Sequence, residues 1–136
     1  MKRAVLLGYQ LATGISDTST GALLIVAPEL TLRLMRLHVQ PDAIPFLSFI
    51  GAFVLSVGLA CLYGGYLVVC GECTTRLEMV WLLTAITRGS VAVFVVTAVM
   101  TSRLEAGWLT VAACDGACVV IQAWGLRKGW LLHVAR

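Results

Sequence analysis

Asp17, Arg88 and Asp115 each stand inside a long apolar stretch of the chain. A carboxylate or guanidinium at the centre of a membrane helix costs about 2.5 to 3.5 kcal/mol, so such groups normally turn toward the bundle interior and pair. The residues around them agree with an inward face. Thr13, Gly14, Thr20 and Gly21 flank Asp17 at helical spacing, Thr84, Ala85 and Ala92 flank Arg88, and Ala112, Cys118 and Gln122 continue the face of Asp115. Small side chains let helices close up, and hydroxyls and an amide can satisfy leftover donors and lone pairs. One buried polar network of Asp17, Arg88 and Asp115 is therefore expected. Two roles are open to it: fixing helix order and register, or, because two carboxylates around one guanidinium leave one negative charge in excess, serving as a proton or solute site.

The cysteines are Cys61, Cys70, Cys73, Cys114 and Cys118. Cys70-Gly-Glu-Cys73 has the spacing of a redox pair or of half a metal site. A reactive thiol of the thioredoxin kind sits at a helix N-terminus, however, and this pair follows an apolar stretch. A zinc site would need further ligands nearby, so no metal centre is expected. Small apolar thiols packed in a bundle are the plainest reading, and Cys70 with Cys73 stays a candidate redox pair. His38 and His133 fall outside the apolar stretches, which disfavours a histidine-ligated haem within them. There is no G-x-S-x-G, no glycine-rich phosphate loop and no H-E-x-x-H, so no catalytic residue is assigned and an enzyme is not expected.

The elements that must carry these residues are apolar helices. With 60% hydrophobic and 12% charged residues in 136, the chain is too apolar for an ordinary soluble domain. A bilayer-crossing helix needs about 20 apolar residues, and spans at about 4–27, 46–70, 79–100 and 106–126 use most of the length. The expected architecture is all-α: a single domain over 1–136, an integral membrane four-helix bundle with a short interfacial amphipathic helix between the first two spans. That short helix covers Glu29 to His38, with Leu30, Leu34 and Leu37 on one face and Glu29, Arg33 and Arg36 on the other. Gly51, Gly58 and Gly65 recur every seven residues, and Ser56, Ala60 and Gly64 form a small-xxx-small series, so the second span should pack closely on a neighbour. At about 1.5 Å per residue, all three buried charges fall within about 4 Å of the bilayer midplane.

Met1-Lys2-Arg3 followed by an apolar run matches the start of a secretory signal, but the run continues to Ala27 without a small-residue cleavage site, so it reads as the first span. Lys2, Arg3, Arg76, Arg127, Lys128 and Arg136 fall on one side of the spans, against Arg33, Arg36 and Arg103 on the other. The excess places both termini in the cytoplasm. The basic tail from Arg127 reads as a short interfacial helix. Trp81, Trp108 and Trp124 sit near span ends, where an aromatic belt would anchor them. The net charge of +3 is spread over segment ends, so nucleic acid is not an expected partner.

Ala27-Pro28-Glu29-Leu30 after a glycine- and polar-rich first helix, Thr84-Ala-Ile-Thr-Arg88 in the third and Ala113-Cys-Asp115-Gly-Ala in the fourth resemble the DoxX-like superfamily of small four-helix bacterial membrane proteins. The resemblance covers most of the chain and implies a four-helix bundle in which Arg88 and Asp115 are the buried polar pair. It also implies kinship with proteins associated with quinone-linked sulfur oxidation or thiol-redox membrane complexes; many members have no assigned activity, and no catalytic residue carries over.

Minimal loops, small-residue seams and no complete active site make a non-catalytic accessory subunit the leading expectation. It would pack against larger membrane protein subunits, in an electron-transfer or energy-transducing complex. Lipid would surround it, and any quinone or pigment would come through partner chains. The alternatives are a thiol- or quinone-linked redox module using Cys70 and Cys73, and a small proton or solute pathway through Asp17, Arg88 and Asp115. Four helices without a visible inverted repeat make the last a poor transporter.

Overall fold

The computed structural model describes residues 3–38, 40–71 and 74–131. Helix α1 spans Arg3–Val26, α2 Pro28–Leu34, α3 Ile44–Cys70, α4 Thr74–Met100 and α5 Leu109–Arg127. Single 3₁₀ turns at Pro41–Ala43 and Ala106–Trp108 lead into α3 and α5. There is no strand among the described residues. With their lead-in turns, α3 and α5 are long and apolar enough to cross a membrane, and so is α4. At 24 residues α1 is long enough as well. Its polar run from Thr13 to Gly21 keeps it out of that set.

The four long helices lie side by side, each antiparallel to the next in the order α1, α3, α4, α5. The closest approach is between α1 and α3. A Cβ on Gly21 would fall on the Leu55 backbone and within 2.8 Å of the Gly51 carbonyl, and one on Gly58 would collide with Thr18. The glycines spaced by seven on α3 are thus the ones that meet α1, and near contact of two backbones is possible only without side chains there. Arg3 ties the pair at its other end: its Nε donates to the Val68 carbonyl at 3.0 Å and its Nη2 to the Val69 carbonyl at 2.7 Å, adding donors at the end of α3, where Val68 also accepts from the Gly71 amide. Gly71, at φ 65°, then stops α3.

An apolar cluster of Leu6, Leu67, Val68, Leu77, Trp81 and Leu131 closes one end of the bundle. At the other end Leu32, Leu37 and Leu47 pack with Met35 and Trp108. The chain reaches this second cluster by a reversal after α2: the Leu37 amide donates to the Leu32 carbonyl at 2.9 Å and the Arg36 amide to the Arg33 carbonyl at 3.1 Å, with Arg36 at φ 55°. This is the hydrogen-bond pattern that ends many helices, with arginine where glycine is usual.

Several expectations need correction. Helix α4 begins at Thr74, five residues before the span expected at 79–100. The short helix ends at Leu34, and its buried face is Thr31 and Leu32, whereas Leu30 and Leu34 point outward. The left-handed Arg36 breaks the periodicity that would have put Leu37 with them. Trp81 is fully buried and is no belt anchor. It fills the space opposite Gly125, where a Cβ would lie 2.5 Å from its ring. Trp124 is exposed, with the Lys128 ammonium 5.5 Å from its ring centroid, and Trp108 is half-buried.

Candidate functional site

Asp17, Arg88 and Asp115 sit near the middles of α1, α4 and α5, and the structure brings them together. The Arg88 side chain, 5% exposed, reaches between the other two helices. Its Nη1 donates to Asp115 Oδ1 at 2.7 Å and its Nη2 to Asp17 Oδ2. A planar guanidinium offers separate donors to two carboxylates, which an ammonium on a flexible stem would not hold in one fixed geometry. Asp17 and Asp115 keep 19% and 15% of their side chains exposed, so the cluster reaches the edge of the bundle.

A second polar layer lies two helical turns away, toward the α1 N-terminus. Gln122 Nε2 donates to the Thr84 hydroxyl at 2.8 Å, and Thr84 in turn donates to the Val80 carbonyl at 2.7 Å. Gln10 is fully buried against Gly64, where a Cβ would overlap its amide. The Tyr9 and Trp81 rings meet at 5.5 Å, and the buried Tyr9 hydroxyl has no hydrogen-bond partner among the described residues. Among the described residues, both amide atoms of Gln10, Trp81 Nε1, Thr18 Oγ1, Gln122 Oε1 and Arg88 Nε have no hydrogen-bond partner in the protein. Polar atoms buried in this way are expected to bond ordered water or a polar ligand, since leaving each unsatisfied costs about 1 to 3 kcal/mol.

The two layers share a spacing. Gln10 precedes Asp17 by seven residues, Trp81 precedes Arg88 by seven, and Gln122 follows Asp115 by seven, so each pair lies on one helix face. Gln10 was not singled out from the sequence, and Trp81 was read there only as a belt anchor. The signal that could have found Gln10 is a glutamine in the otherwise apolar stretch from Ala4 to Ala12, in register with Asp17.

The remaining candidates are dispersed. Cys70 is exposed at the end of α3, and Cys73 lies outside the described residues, as do His133 and Arg136. Cys61 is buried in α3 and Cys114 is exposed on α5; the four described cysteines are free. His38 is exposed beyond α2. Among the described residues no group of His, Cys, Asp and Glu could hold a metal ion. The arrangement can hold charge, order polar groups and present carboxylates at the bundle edge. It offers no nucleophile with an adjacent base. Compared with family models, curated proteins and solved structures, the chain matches none.

Proposed function

We propose that this chain is a non-catalytic accessory subunit of a larger membrane complex, crossing the bacterial inner membrane four times with both termini in the cytoplasm. In this reading α1 is the fourth crossing helix, and α2 lies in the interface with Leu30 and Leu34 toward the acyl chains. The distribution of Lys and Arg supports the orientation, and the likeness to the DoxX-like superfamily is part of the same proposal.

One observation carries it. Helix α1 turns Ser16 and Ser19 outward, beside the partly exposed Asp17, level with the apolar centres of its neighbours. A polar helix face cannot rest against lipid tails, where unsatisfied polar groups cost several kcal/mol each. Among the described residues nothing covers that face, so a neighbouring polypeptide would. An accessory subunit needs such a surface and needs no active site.

The test is migration on a native gel after mild solubilisation of membranes in which the chain is expressed at its natural level. A defined assembly well above the mass of the chain plus detergent is expected. A chain that always runs alone contradicts the reading.

A further inference from the structure

We infer that the seam between α1 and α5 docks a membrane-spanning helix of another protein that carries a basic side chain at its centre. The inference rests on the accessory-subunit reading and names the partner's chemistry.

The seam begins with helix geometry. Helices α1 and α5 are not in direct backbone contact; the Arg88 guanidinium, entering from α4, links them through Asp17 and Asp115. Thr20 lies on the same side of α1 as Asp17, exposed Ser16 follows about a quarter-turn round the helix, and exposed Cys114 is the chain neighbour of Asp115 on α5. All of these side chains are short, so an incoming helix could approach closely.

The hydroxyls on this face differ from the exposed serine and threonine hydroxyls past the first turn of α3 and α4. Exposed Ser56 on α3 and Thr87, Ser90 and Thr97 on α4 each donate to a carbonyl in the preceding turn, at 2.7 to 3.0 Å. A hydroxyl satisfied by its own helix can face lipid. Among the described residues Ser16, Ser19 and Thr20 make no such bond and have no other partner. Ser16 and Ser19 are therefore open hydroxyls on an outward face that they share with exposed Ile15.

Charge selects the occupant. Two carboxyl groups share one guanidinium, which leaves the cluster formally one negative charge in excess, and both carboxyls reach the bundle edge. A second copy of this chain docked by the same face would oppose acid to acid, which disfavours a symmetric pair. A helix with Lys or Arg at mid-depth supplies the missing cation and donors for the hydroxyls.

The test uses the full chain in liposomes, fluorescently labelled at Cys70, with synthetic Leu/Ala helices of about 20 residues bearing Lys, Leu or Glu at the centre. Energy transfer should show the Lys helix binding about tenfold more tightly than the Leu helix, with the Glu helix weakest. The preference should vanish in Asp17→Asn with Asp115→Asn. Because that pair could also disturb folding, Ser16→Leu provides a second variant: it blocks the outward face without touching the ion cluster and should abolish binding. Equal binding of Lys and Leu helices, or Lys-helix binding that survives Ser16→Leu, overturns the inference. A chain found in a native assembly but indifferent to the Lys helix keeps the accessory reading and discards this seam. One that binds the Lys helix yet always migrates alone retains the seam and loses the accessory reading.

Discussion

A guanidinium held between two carboxylates is stable only while all three are present. Removing Arg88 leaves Asp17 and Asp115 facing one another without a cation, and breaking a buried pair from one side costs about 3 kcal/mol or more. Polar contacts inside membranes often measure smaller because the unfolded reference also finds partners. Arg88→Leu should therefore lower unfolding stability in detergent by about 2 to 3 kcal/mol, and adding Asp115→Asn should restore part of the loss. A single variant as stable as the parent would show that the cluster contributes nothing to the fold. At this scale the sequence was informative: charges at one depth on three apolar stretches require a meeting point. The second layer was harder to read, because Trp81 near a helix start looks like an interface anchor, and only the position of Gly125 opposite it makes room for burial.

Helix pairing is governed by what is absent from the glycines. Gly58 lies against Thr18, and a leucine there would push α1 away from α3, a change of the overpacking kind that costs about 1 to 3 kcal/mol. Gly116 on α5 has no neighbour within 4 Å of a prospective Cβ among the described residues. Gly58→Leu should lower the unfolding midpoint in detergent clearly, while Gly116→Ala should leave it unchanged or raise stability by up to about 1 kcal/mol through helix propensity. Equal loss in both would mean that α1 and α3 do not pack through this seam. The seven-residue glycine repeat announced a close contact but not its partner, since periodicity fixes a face and not what it touches. For α2 only Leu37 was misplaced, because a single left-handed residue, Arg36, resets the direction of the chain and nothing in its side chain signals that conformation.

The whole molecule presents two kinds of outer surface. Phe49, Phe53, Leu59 and Tyr66 on α3, and Val93 and Phe94 on α4, make the apolar surface expected toward lipid. Helix α1 mixes exposed Val5, Leu11, Ile15 and Leu23 with Ser16, Ser19 and part of Asp17. All-helical architecture was evident from composition alone. That α1 would turn part of its polar run outward was not, because the pattern in Thr13 to Gly21 is polar on nearly every face and points in no single direction. The central claim is that another polypeptide covers this face, and the most direct measurement places a photo-crosslinking amino acid at position 16 and, as a control, at position 53 of the chain expressed at its natural level. The account predicts one discrete protein adduct from position 16 and lipid adducts alone from position 53. Lipid adducts alone from both positions would contradict it.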